Sequence, residues 1–118
     1  MLHSKTFKRE SRLLTAQDYR FVFERPKRTS SAILTVLARE NGKEYARLGL
    51  VVSKKSDKRA VVRNRVKRIA RESFRLNQER LKGLDIVVLS KRGINQKENS
   101  EIFSDLDKHW KKLTRWKK

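Results

Sequence analysis

The chain has 118 residues, 36% of them hydrophobic and 38% charged, with a formal net charge of +19 from 32 Lys/Arg against 13 Asp/Glu. That length gives room for one domain with a modest core, and the lack of cysteine excludes disulfides and Cys-ligated zinc. So large an excess charge repels itself in the compact state, which points to a polyanionic partner: RNA, DNA or an anionic membrane.

The first segment, MLHSKTFKRESR, lacks the apolar stretch of a signal peptide. No apolar run approaches the roughly 20 residues that span a bilayer. The expectation is a cytoplasmic protein with no membrane partner and no evident protein partner, its first dozen residues a flexible arm. LLTAQDYRFVFERP predicts a short helix, with Thr15 as N-cap, Asp18 completing a capping box, and Leu14 and Tyr19 placed as a hydrophobic staple. Pro26 ends it, because Arg25 before the proline is pushed out of the helical region. Tyr19, Val22 and Phe23 share one face.

SAILTVLARE and YARLGLVVS follow as strands, with Asn41-Gly42 between them as the signal for a tight hairpin turn. A further short strand near Lys27 to Ser31 fits the spacing. After the basic connector KKSDKRA comes AVVRNRVKRIARESFRLN, a helix with six Lys/Arg among eighteen residues. LKGLDIVVLSKRG holds a buried strand, Asp85 to Ser90, punctuated by Gly83 and Gly93. A last helix from about Ser100 carries Ile102, Phe103, Leu106, Trp110 and Leu113 as its apolar stripe, capped by Asn99 or Ser100. The order is α-β-β-(β)-α-β-α: a single-domain α+β fold, an α/β sandwich.

At 100° per residue, Val62, Val66, Ile69, Ser73 and Leu76 fall on one side of the basic helix. Asn64, Lys67, Arg68, Arg71 and Arg75 fall on the other, with Arg63 and Arg65 at the flanks. Lys54 to Arg75 holds ten cations and two anions. A merely solvated face mixes signs; this one does not, and only Glu72, within reach of Arg68, interrupts it. Arginine's planar fork suits phosphate. Sequence-specific DNA reading needs side chains aimed at bases, and only Asn64 fits that part, so RNA bound by shape and phosphate is the better match.

No constellation of a protein nuclease is present: there is no Cys, only His3 and His109, and no glycine-rich phosphate loop. Asp105 and His109 stand at i, i+4, but without a third ligand on that helix they read as solvated surface rather than metal site. On the residues alone, Tyr19 and Phe23 read first as core aromatics, with a base-stacking wall as the alternative, and Trp116 as exposed or stacking.

RNRVKRIARESFR (Arg63 to Arg75) following RLGLVVSKK (Arg47 to Lys55) closely resembles the bacterial ribonuclease P protein component. The resemblance extends to RLLTAQDYRFVF, LDIVVLSKRG and the basic C-terminal helix, nearly the whole chain. It implies a small domain bound to a catalytic RNA that removes the 5′ leader of precursor tRNA by metal-assisted hydrolysis, with Mg²⁺ held mainly by the RNA and no catalytic residue in this chain. It implies contact with the catalytic RNA through Arg63, Asn64, Arg65, Lys67, Arg68, Arg71 and Arg75. It also implies a leader-binding cleft at Tyr19, Phe23, Lys54 and Lys55, and a left-handed β-α-β crossover. Val36 falls about where some members carry an aromatic. The alternative from another class is a non-catalytic rRNA- or DNA-binding structural protein.

Overall fold

The computed structural model describes residues 11–54 and 58–116. In chain order the elements are α1 (Ala16–Glu24), β1 (Lys27–Ser30), β2 (Leu34–Glu40), β3 (Arg47–Val51), α2 (Ala60–Leu81), β4 (Leu84–Ser90) and α3 (Asn99–Trp116), with a short 3₁₀ turn at Ile94–Gln96 before α3. The strand near Lys27 is therefore real.

The sheet runs β1-β2-β4-β3, with β3 parallel to β4 and the other neighbours antiparallel. This overturns the hairpin expected at Asn41-Gly42, since β4 lies between β2 and β3. The physical reason is in β4 itself: Leu84 to Val88 are buried without a break, and a strand apolar on both faces takes the centre of a sheet. Asn41 does turn the chain, but not as a two-residue hairpin. Its Oδ1 accepts from the Lys43 N–H at 2.7 Å, and its Nδ2 donates to Tyr45 O at 3.2 Å and Asp85 Oδ1 at 2.8 Å. The parallel β3-α2-β4 unit is the crossover that carries the basic helix.

Each sheet face has its own core. Leu34, Val36, Leu48, Ile86 and Val88 pack with Val66, Ile69 and Phe74 of α2 and with Ile102, Leu106, Trp110 and Leu113 of α3. On the other face Leu37 and Val87 join Leu13 and Val22 under α1, with Tyr19, Phe21, Val51 and Leu89 at the margin. Val36 thus belongs to the helix-pair side, away from α1.

Two expectations about helix faces change. The inward face of α2 is Val66, Ile69, Ala70, Ser73, Phe74 and Leu81, whereas Leu76 is 50% exposed. The face is rotated toward Phe74 because α2 packs on α3 as well as on the sheet, and Ser73 points to that helix, accepting from the Trp110 indole N–H at 2.8 Å.

His109 and Asp105 are not solvated surface. His109 is buried, with Nδ1 3.1 Å from Thr29 Oγ1 and Nε2 3.1 Å from Asp105 Oδ2. Ser31 Oγ donates to the same carboxylate oxygen at 2.7 Å. The pair ties α3 to the β1–β2 turn. The α3 cap also sits one residue earlier than expected: Glu98 precedes the first helical residue, and its N–H donates to Glu101 Oε1 at 3.0 Å.

Candidate nucleic-acid interface

The interface begins with which cations the fold has already used. Arg47 donates through Nε to Asp85 Oδ1 at 2.8 Å and through Nη2 to Asp85 Oδ2 at 2.6 Å, while Nη1 lies 3.5 Å from Asp18 Oδ1. The hydrogen bonds to Asp85 raise the Arg47 pKa further, against the cost of burial. Asp18 is held below the usual carboxylate range first by the Leu14 N–H, then by the Thr15 N–H and Arg47. Its reciprocal bond with Thr15 is the expected capping box. Arg39 donates to Phe21 O at 2.7 Å and lies 3.8 Å over the Phe21 ring.

On α2 the same test divides the expected RNA-contact residues. Arg65 donates to Lys97 O at 3.2 Å and to Asn99 Oδ1 at 2.6 Å, stitching α2 to the start of α3. Arg63 donates to Lys58 O at 2.7 Å, bracing the first turn. Arg75 grips Glu72 with two bonds, at 3.0 and 2.5 Å. Arg75, not Arg68, is therefore the partner of Glu72, whose carboxyl that bond holds below its ordinary pKa. Asn64, Arg68 and Arg71 face outward, with Lys67 half-buried beside them. Among the described residues, the side chains of Lys67, Arg68 and Arg71 have no hydrogen bond or ion pair. These three form a cationic ridge that no acid among the described residues pairs.

The ridge opens into a cleft. Lys67 and Arg71 line a cavity of about 150 Å³ together with Arg12, Leu14, Tyr19 and Leu50. The residues expected to hold the catalytic RNA and one expected to hold the leader thus meet across β3. Tyr19 reaches the cleft by crossing the sheet margin at Gly49, where an added Cβ would stand 2.7 Å from the ring. Its hydroxyl accepts from the Leu50 N–H at 3.2 Å. Nearby, the Leu13 N–H donates to Leu48 O at 3.0 Å, so Leu13 and Tyr19 together cover the outer edge of β3.

Phe23 lies at the far end of α1, 44% exposed and outside this cavity. Lys54 is exposed just beyond β3; Lys55 lies outside the described residues, as does His3. Arg12 is the cleft residue that sequence reasoning missed. Nothing in RLLT announces that Arg12 bridges to Leu48, 36 positions further along the chain, so no local pattern could have found it. Trp116 is half-buried against the larger core.

Among the described residues no group of three or more His, Cys, Asp or Glu could hold a metal ion, and no helix is long and apolar enough to cross a membrane.

A small α+β protein whose long crossover helix carries cations unpaired among the described residues, beside a cleft walled by Tyr19, has the surface features of a nucleic-acid-binding protein. The ribonuclease P family model matches residues 7–114, and the chain belongs to the ribonuclease P protein family, the accessory subunits of an endoribonuclease of tRNA 5′ processing. It is 51% identical over 109 residues to the ribonuclease P protein component of Histophilus somni, covering 92% of each chain. With that of Pseudomonas putida it shares 50% over 113 residues, covering 95% of this chain and 84% of the relative. The RNase P protein structure from Thermotoga maritima superposes with a TM-score of 0.76 at 33% identity, covering 86% of this chain and 96% of that one. That from Staphylococcus aureus gives 0.79 at 26%, covering 87% and 94%. Membership decides against an rRNA- or DNA-binding structural role.

Proposed function

We propose that the protein seats the catalytic RNA of ribonuclease P on the outward face of α2 and holds the 5′ leader of precursor tRNA in the adjoining cleft. The observation that carries this reading is the ridge of Lys67, Arg68 and Arg71, unpaired among the described residues in a fold that pairs Arg47, Arg75 and Arg80 with carboxylates. Phosphates replace the missing acids, and their counterions are released on binding. Asn64 stands among these cations for a polar contact, and Arg63 and Arg65 hold the helix end in place while presenting their remaining donors. Tyr19 walls the cleft, with Phe23 and Lys54 extending it along α1 and beyond β3.

The chemistry belongs to the RNA. The described carboxylates do not fit a Mg²⁺ cage: Asp18 and Asp85 share Arg47, and Asp107 faces Arg80 and Lys111. Mg²⁺ is accordingly assigned to RNA phosphates. The protein's part is to neutralise two polyanions as they approach, which lowers the Mg²⁺ they need. A precursor-tRNA substrate fits a cytoplasmic assembly.

The test is cleavage of precursor tRNA at low Mg²⁺ with a bacterial ribonuclease P RNA, this protein, or both. Cleavage at the mature 5′ end should need the mixture. A mixture no better than the RNA alone would remove the reading.

A further inference from the structure

A second cavity, of about 210 Å³, lies between the last turn of α3 and the start of β1, the end of β2 and the start of β4. Its walls are apolar, from Leu84, Leu113 and Trp116, and its rim carries Arg25, Lys27 and Arg39. The wall and the rim call for different things, a flat apolar body and an anion, in one ligand.

The three rim cations are not equivalent. Arg39 is committed to Phe21 and lies 3.8 Å from Glu24. Lys27 donates one Nζ proton to Trp116 O at 3.4 Å, which fixes the end of α3 and leaves two donors for another acceptor. Arg25, exposed at the C-cap of α1, has no hydrogen bond or ion pair among the described residues. Trp116 packs one side on the core and keeps the rest of its surface accessible. Glu40 is the single acid on the wall, an acceptor suited to an exocyclic amine.

We propose that this cavity receives one unpaired base of the bound RNA, stacked on Trp116, with its flanking phosphates on Arg25 and Lys27. The inference rests on the RNA-binding reading above but concerns a different surface. The cationic ridge and the Tyr19 cleft sit at β3, whereas this pocket takes its lining from β1, β2, the first residue of β4 and the last turn of α3, with no residue of β3. An aromatic wall with cations at its mouth is the arrangement that holds single-stranded nucleic acid, and the net charge of +19 selects a polyanion over a neutral metabolite. The protein would then grip RNA at two separate surfaces.

Tryptophan emission of the full chain reports on the pocket, because Trp110 is fully buried and Trp116 is not. The chain is titrated separately with ribonuclease P RNA and with precursor tRNA, and binding is followed independently by filter retention. One of the two RNAs should quench the emission, and Trp116→Phe should abolish the quench. Whichever RNA does so is the source of the base. Trp116→Leu should weaken that RNA by about tenfold. The double variant Arg25→Gln/Lys27→Gln should lower its salt slope by about 1.4 to 1.8. Arg25→Gln, at an exposed position, should keep the wild-type unfolding midpoint and so controls for folding. If both RNAs are retained on the filter yet neither quenches, or the double variant keeps the wild-type slope, the pocket is not an RNA site while the reading of the ridge stands. If the wild type retains neither RNA, both fall.

Discussion

The indole N–H of Trp110 donates to Ser73 Oγ at 2.8 Å, and both groups are buried where α2 and α3 cross. A basic helix can be mounted rigidly only if its inward face is fixed, and this bond fixes the roll of α2 that aims Lys67, Arg68 and Arg71 outward. Ser73→Ala leaves a buried donor without its acceptor and should cost about 1–3 kcal/mol. Trp110→Ala also opens a cavity and should cost about 3–5 kcal/mol. Urea unfolding checks both; a Ser73→Ala loss below about half a kcal/mol would mean the bond does not fix the interface.

Burial lowers the pKa of His109, with Asp105 opposing and Lys112 and Lys91 adding to the fall. Thr29 and Ser31 complete its surroundings. The unfolded chain, near the ordinary value of about 6.5, therefore binds this proton more readily than the folded one. Stability from this group is full above about pH 6.5 and is lost as pH falls through that value toward the lowered folded one, at up to ~1.4 kcal/mol per pH unit. Unfolding midpoints between pH 5 and 8 should show this slope in the wild type, and His109→Gln should flatten it. An unchanged slope in the variant would assign the effect elsewhere.

Glu72 masks Arg75, and this makes a graded prediction for RNA binding. Arg68→Ala and Arg71→Ala should each lower the log–log salt slope of ribonuclease P RNA binding by about 0.7 to 0.9. Arg75→Ala should change it less, because its charge is already matched, and Glu72→Gln should steepen it. Filter binding across a salt series decides. Equal losses at Arg68 and Arg75 would show that the ion pair opens on binding.

Gly49 is where β3 makes room for Tyr19. Gly49→Ala should displace the ring, break its bond to Leu50 and weaken discrimination between leader-bearing and mature tRNA, while catalytic-RNA affinity holds. Tyr19→Phe removes the hydroxyl that serves Leu50 but keeps the ring, and should cost about 0.5–1.5 kcal/mol of stability with most of the discrimination retained. Competition binding with the two tRNA forms, in complex with the RNA subunit, separates the cases. Equal losses on both forms would sink the leader cleft.

Local chemistry was legible in the sequence where neighbours along the chain settle it. The Thr15–Asp18 capping box, the end of α1 at Pro26, the two-sided hydrophobicity of β4 and the stripe of α3 were all readable within a dozen residues. Strand order was not, since Asn41-Gly42 looks the same whether the next strand pairs with β2 or passes beyond β4. Charge sign was legible on α2, but charge availability was not. That depends on Asn99 and Lys97 meeting Arg65 from 34 and 32 positions away. His109 misled for the same reason: its partners Thr29 and Ser31 are 80 and 78 residues distant.

β4 is the strand on which both cores are built, and it is completed only at residue 90 of 118. While the chain is being synthesised, α1, β1, β2, β3 and the whole cationic helix leave the ribosome before the strand that can organise them. Local helices can form early, but pairing over such distances must wait. The chain therefore passes through a stage in which the charge of α2 is displayed and the core is not. Late arrival of β4 makes the order of synthesis itself a hazard, and the closing of the sheet is the event that ends it.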